Sequence, residues 1–307
     1  MSSAVKMLHD QALRAYNSLL SLFDRVQLDV KTKLSLFNTM IVPILVYGSE
    51  VWGVYNFKEV DKLQIRFLKH LLCVKKQTPN NAVYGEFGEI PLSIICKEEA
   101  IKFWLKIMKN GDSPMNYMYH DQCNNINGPC WAIKMKSIIN HLGLNFLIDN
   151  FDVNAEYFSM LKSRLRDQFI QDWRGSIQSM SKLDVYCALK TNFKYEEYLD
   201  KIENENLHKP FSSIRLSAHK LEIEVGRYTG IVRENRICKC CNSNIIENEY
   251  HFLLCCSKYR HIRLKYLGNI SWPNLDLFKR IMLSKRQIKI AKFIKEAMEL
   301  RNTLLIQ

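Results

Sequence analysis

Residues 236–263 read RICKCCNSNIIENEYHFLLCCSKYRHIR, which places five cysteines and two histidines within 28 residues, a density the chain reaches nowhere else. A structural zinc site takes four tetrahedral ligands, usually Cys thiolates and His nitrogens. Two ligands on one tight turn need a Cys-x2-Cys spacing, which Cys238 and Cys241 meet. His251 and Cys256 supply a second pair at a spacing that suits a helical turn. The set reads Cys-x2-Cys-x9-His-x4-Cys. Cys240 is a poor chelate with Cys238, because one residue separates them. Cys255 in place of Cys256 gives His-x3-Cys, which is geometrically feasible, and His261 is a further substitute. The competing reading is a buried thiol cluster without metal. Four protein ligands leave no open position, so the expectation is a structural Zn2+ and not zinc hydrolysis.

Outward from this stretch the charge is lopsided. The chain carries 44 Lys and Arg against 31 Asp and Glu, a net charge of +13. Residues 1–205 hold 25 basic and 23 acidic groups, whereas residues 206–307 hold 19 and 8. From Lys258 to Lys295 there are eleven Lys or Arg and a single acid, Asp276. A localised positive field attracts polyanions, nucleic acid above all. Arg260, Arg263 and Lys265 follow the clamp. Lys285, Lys289 and Lys292 share one face of a final amphipathic helix expected over 284–301, while Ile290, Ile294 and Ala297 line another face. A cationic stripe can lie along phosphates while the apolar face docks on protein. The competing reading of that helix alone is a solvated lysine face. Tyr250, Tyr259, Tyr266 and Trp272 are candidate stacking rings, although such rings are more often core.

The rest of the chain reads as helices. Gly (11) and Pro (7) are sparse and the hydrophobic fraction is 47%, which favours a helical globular protein over a turn-rich sandwich. Val5, Leu8, Ala12, Tyr16, Leu19 and Phe23 form one helical stripe, and Val60, Leu63, Phe67 and Leu71 another. Pro43 stops a second helix over 31–42. Residues 44–53 read as a bend or short extended piece, 78–92 as a loop, and 110–130 as a mobile loop. Helices are expected over 131–145, 155–180 and 182–204. The thiols read as reduced: no apolar leader follows Met1, and the longest apolar run is too short to span a bilayer. Phosphate-binding loops, H-E-x-x-H and G-x-S-x-G are absent from the sequence. His120, Cys123 and Cys130 lack the spacing of a second metal site.

Several stretches resemble a known family, the LINE-type (non-LTR) retrotransposon reverse transcriptases, in their C-terminal part. KLSLFNTMIVPILVYGSEVWG (33–53) resembles the thumb that follows the polymerase palm. AVYGEFGEIPL (82–92) and AIKFWLKIM (100–108) resemble the helices after it, and SKLDVYCALKTNF (181–193) with EEYL (196–199) the connector. IRLSAHKLEIEVGRYTGIVRENRICKCC (214–241) and ENEYHFLLCCSKYRHIR (247–263) resemble the terminal zinc-binding region. Arg215, Ser217, His219, Glu224, Gly226, Arg227 and Arg236 precede the clamp in the family's order.

The resemblance implies Cys238, Cys241, His251 and Cys256 as ligands, and a region that grips the element's RNA or target DNA. The chain departs from the family: two-metal polymerase chemistry needs paired aspartates, and no Asp-Asp occurs in the sequence. Neither the palm nor the endonuclease is expected here. The expectation is therefore a mainly α chain, an extended helical array with a small zinc-clamped region and a closing amphipathic helix. Three consecutive blocks are expected, at 1–75, 76–205 and 206–307. The expected function is non-enzymatic binding of RNA or DNA, intracellular, in nucleus or cytoplasm, with no membrane and no small-molecule substrate. The alternatives are a zinc-held helical scaffold for protein partners and a non-functional retrotransposon remnant.

Overall fold

The computed structural model describes residues 2–55, 58–124, 130–149 and 156–306. The protein is mainly helical, and the strand-like pairing among the described residues is limited to two isolated bridges. The chain divides into two interleaved units. Unit 1 takes Met1–Ile65 and Ile90–Arg174, and unit 2 takes Arg66–Glu89 and Gly175–Gln307. The chain changes unit three times, within the helices 58–71 and 156–179 and between Glu89 and Ile90.

Unit 1 opens with α1 (Ser2–Arg25), α2 (Val30–Met40), α3 (Val42–Leu45), α4 (Ser49–Trp52) and the first half of α5 (Lys58–Leu71). The expected stripe on α1 is largely buried, at Val5, Ala12, Tyr16, Leu19 and Phe23. Asp29 caps α2 by accepting from the Thr32 amide at 2.9 Å. Residues 44–53, expected to be a bend or extended piece, contain the end of α3 and all of α4. Gly48, at φ +68°, makes the turn between them. A Cβ on Gly53 would stand 2.2 Å from the Cys96 carbonyl oxygen, so only glycine lets the chain pass this close.

After α6 (Asn80–Phe87), which belongs to unit 2, unit 1 resumes with α7 (Leu92–Lys109), α8 (Pro114–Asn124), α9 (Trp131–His141), α10 (Phe146–Asp149) and most of α11 (Glu156–Ser179). The expected loop at 110–130 is helical over Pro114–Asn124. Its proline occupies the first turn, the Ser113 hydroxyl accepts from the Asn116 amide at 3.2 Å, and Tyr119 is buried. The remainder of that expected loop, 125–129, lies outside the described residues. Glu98 is buried and receives both Arg166 and Lys162, so its charge is paired.

Unit 2 contains α6, α12 (Asp184–Leu189), α13 (Tyr198–Lys201), α14 (Glu205–Arg215), α15 (Glu222–Tyr228), α16 (Arg260–Tyr266), α17 (Leu275–Met282) and α18 (Gln287–Ile306). Helix α6 stands where a loop was expected. Ala82 to Phe87 are all buried, and the helix stops at Gly88 with φ +63°. Glycine is doubly required there, because a Cβ would also stand 2.7 Å from Lys194 backbone. The helix expected over 182–204 is broken, since Tyr195 bridges to Phe87 and the Glu196 amide donates to the Glu86 carbonyl at 2.9 Å. Arg215 is fully buried and donates to both Glu86 oxygens at 3.0 Å. Glu196 completes this pair at 3.1 Å and also accepts Lys190 at 2.6 Å. A guanidinium this deep persists only because its fork matches the carboxylates facing it.

The core of unit 2 rests on α18, which buries Ile290, Ala291, Phe293, Ile294 and Ala297. Phe252 stacks near Phe293 and Tyr259, with ring centroids at 5.9 and 5.1 Å. The aromatic segment between the clamp's second pair of ligands is thereby fixed to the last helix.

Candidate metal centre

The first arm of the centre is a short antiparallel ladder. The Glu247 amide donates to the Arg236 carbonyl, the Cys238 amide to the Ile245 carbonyl (both 2.9 Å), and Ile237 bridges to Ile246. The ladder holds Cys238 and Cys241 on the loop it closes, where Asn244 makes the reversal at φ +53°. Asparagine tolerates that left-handed conformation better than most residues.

The second arm is a π-helical turn, His251–Cys255, closed by a 2.8 Å bond from the Cys256 amide to the His251 carbonyl. On an ordinary α-helix, residues five apart point about 140° away from each other. The wider turn closes on the fifth residue and brings His251 and Cys256 to one side. Asn248 holds the start of the turn by accepting from the His251 amide at 2.8 Å.

Cys238 Sγ, Cys241 Sγ, Cys256 Sγ and a His251 ring nitrogen lie within 4.8 Å of one another, and all four residues are buried. Zinc–sulfur bonds of about 2.3 Å set tetrahedral edges of roughly 3.8 Å, so small adjustments close the quartet on an ion. His251 Nε2 faces Cys241 Sγ at 3.4 Å. The quartet can hold a metal ion. Of the alternatives left open by spacing, Cys255 is only partly buried and outside the quartet, and His261 is exposed. Cys240 is buried with them but belongs to a different trio, with Cys238 and Glu247.

The surroundings of Cys238 oppose a bare thiolate. The neighbouring Cys256 thiol and burial push the Cys238 thiol up to about 12, against the opposing pull of His251 and of the Cys240 and Cys241 amides. A divalent ion reverses that balance and holds the sulfurs as thiolates. The two amides aimed at Cys238 and the Ser243 hydroxyl 3.0 Å from Cys241 Sγ are donors suited to anionic sulfur.

Around the quartet, the residues that precede the clamp form braces. His219 Nε2 lies 2.9 Å from Glu249 Oε1, and Ser217 donates to the same oxygen at 3.1 Å. Burial opposes the Glu249 charge, yet His219 and Ser217 hold the carboxyl below its ordinary value. This Ser-His-Glu group has no nucleophile relay. The hydroxyl donates to the carboxylate and not to the imidazole, and His219 Nδ1 accepts the Leu221 amide at 3.2 Å. Arg236 lies across Gly226, donating to the Ile231 and Ile223 carbonyls at 2.9 Å. Arg227 meets Glu224 at 3.3 Å.

The expected nucleic-acid residues separate into two groups. Arg260, Lys265, Lys285, Lys289 and Lys292 are exposed. Lys265 already pairs with Glu296 at 2.8 Å. Arg263 does not belong with them. It is buried and donates to the Leu253 carbonyl at 2.8 Å and the Cys256 carbonyl at 2.9 Å, which ties the π turn to the start of α16. Lys285 precedes α18, which starts at Gln287 and not at 284. Lys289 and Lys292 therefore share the exposed face of the helix, and Lys285 extends it from the turn before. Among the candidate rings, Tyr259 is buried, Tyr250 packs edge-on to Phe278, and Trp272 is 84% exposed.

Sequence reasoning missed Glu86, Glu222 and Arg301 altogether. Arg301 is buried, donating to Glu247 at 2.8 and 2.6 Å and to Glu222 at 3.4 Å. The one available signal was an arginine on the apolar side of an amphipathic helix, continuing the 3.6-residue repeat of Ile290, Ile294 and Ala297.

No protein-family model, curated protein or solved structure matches the chain. No helix among the described residues is long and apolar enough to cross a membrane.

Proposed function

We propose that this chain is a non-enzymatic nucleic-acid-binding protein of non-LTR reverse transcriptase ancestry. In this reading a structural zinc ion at Cys238, Cys241, His251 and Cys256 shapes a basic surface in unit 2 that grips RNA or DNA. The observation that carries the reading is the pairing of a fully buried quartet, three cysteines and one histidine, with the exposed cations Arg260, Lys285, Lys289 and Lys292 in the same unit. The metal is assigned as zinc because three thiolates and an imidazole in a closed tetrahedral set are its usual structural ligands. The ancestry rests on the sequence stretches that resemble that family. No polymerase step is assigned, since the paired aspartates that chemistry uses do not occur in the sequence. An intracellular location, in nucleus or cytoplasm, suits a quartet that needs its cysteines reduced.

The test is binding to structured RNA and to duplex DNA across a salt series. Each phosphate neutralised adds about 0.9 to the slope of log affinity against log salt for B-DNA. Changing Lys285, Lys289 and Lys292 together to Glu is expected to abolish binding while one zinc stays bound. Affinity indifferent to both salt and these changes would favour the helical scaffold for protein partners.

A further inference from the structure

We propose that the Arg301 guanidinium is the second cation of a two-cation centre. It fills a place built by Cys238, Cys240 and Glu247 that would otherwise take a second thiophilic divalent ion, with Cys238 as the shared vertex. The inference rests on the reading of the quartet as a zinc site.

Two ligand sets meet at Cys238. One is the quartet of three cysteines and one histidine, and the other joins Cys238 Sγ to Cys240 Sγ and a Glu247 oxygen, again with all ligand atoms within 4.8 Å and all three residues buried. A thiolate sulfur has lone pairs enough to bridge two ions. Cys240, surplus to the quartet, is the remaining sulfur of the second set.

The electrostatic argument turns on Glu247. Its carboxylate is fully buried and its Oε1 stands 3.8 Å from Cys238 Sγ. A carboxylate beside a zinc-bound thiolate in the interior needs a cation of its own. Arg301 supplies it from α18. Its Nε and one terminal amine donate to the two Glu247 oxygens, and the same amine reaches Glu222 Oε1. The Glu222 amide also donates to Glu247 Oε2 at 2.8 Å, and Lys239 lies 2.9 Å from the other Glu222 oxygen. The whole group sets three thiolates and two carboxylates against one divalent ion, a guanidinium and an ammonium. With both Glu247 oxygens accepting N–H donors and its charge offset by the guanidinium, the carboxylate is a weak ligand for a second divalent ion. Withdraw the guanidinium and the trio keeps two sulfurs, a carboxylate and the adjoining Glu222, a donor set suited to Zn2+ or Cd2+.

The experiment is a zinc titration of the full chain read by native mass spectrometry. Cobalt substitution gives an independent readout, because two Co2+ ions bridged by one thiolate are magnetically coupled and lose EPR intensity per ion. The wild type is expected to saturate at one ion, Arg301→Met at two with the coupled spectrum, and Arg301→Met/Cys240→Ser at one. Arg301→Lys, which keeps a cation, is expected to stay at one. The proposal is overturned if Arg301→Met takes up one ion or none at saturating zinc, or stays unfolded there, since a second ion should replace the lost charge. A second ion that persists without Cys240, or a wild type that binds two, overturns it as well. A wild type that binds none removes the zinc reading itself, which separates the two failures.

Discussion

Arg263 marks the difference between a charge that faces solvent and one that holds backbone. A count of basic residues treats it like Arg260, but its guanidinium ends on the Leu253 and Cys256 carbonyls. Arg263→Met takes the guanidinium from the buried Leu253 carbonyl and leaves the Cys256 carbonyl with the Tyr259 amide at 3.3 Å, at a cost of about 1–3 kcal/mol. The salt slope of any nucleic-acid binding should stay unchanged in that variant, whereas Arg260→Gln should shallow it by about one unit. Denaturation and salt titrations on the two variants check the contrast. Gly226 is a second such position. A Cβ there meets Arg236 Cγ at 2.6 Å, so Gly226→Ala displaces a side chain that braces two carbonyls, and a loss of roughly 1–3 kcal/mol is expected in chemical denaturation. Among the clamp cysteines, Cys241→Ser is expected to lose the metal and loosen residues 236–263, and Cys240→Ser to do neither. Metal content by mass spectrometry decides, and equal loss in both variants would refute the ligand choice. The quartet was legible because ligand spacing is local. Arg301, Glu222 and Glu86 were not, because their partners lie far along the chain and no local pattern announces a buried ion pair.

At the level of single helices, periodicity served where one face is apolar and failed where a whole helix is buried. α1 and α5 show clear stripes and were readable. α6 buries Ala82 to Phe87 all round and carries two glycines in its neighbourhood, so it reads as a loop until tertiary packing forms it. α8 was hidden by Asn-rich composition, although Ser113 and Pro114 are ordinary helix-start signals. The π turn is a further case: His-x4-Cys suits a helix in spacing, but only the wider turn aligns both ligands. Helix α2 offers a clean test of a cap. The Thr32 hydroxyl and amide hold the Asp29 carboxyl below its ordinary value. A depressed carboxyl stabilises the fold above its unfolded pKa, near 3.9, and that contribution disappears as pH falls through the lower folded value. Asp29→Ala should therefore cost about 1 kcal/mol at neutral pH, and the gap from wild type should narrow in acid. Thermal melts at pH 7 and pH 3 measure it.

For the molecule as a whole, the two units should respond differently to metal. The quartet and its braces lie within unit 2, and a small knot of this kind draws much of its stability from the ion. Chelation is expected to raise hydrogen exchange across residues 236–263 and α14–α18 while α7–α9 of unit 1 keep their protection. Uniform loss of protection across both units would overturn that division. The Arg301–Glu247 pair carries a consequence for biosynthesis. Its members are 54 residues apart in the chain. At about 5–20 residues per second, a ribosome that has made the last thiol-bearing segment needs roughly 2–9 s more to supply the guanidinium. Every sulfur and the Glu247 carboxylate are therefore made before their counter-charge, and the C-terminal helix closes over groups already in the chain.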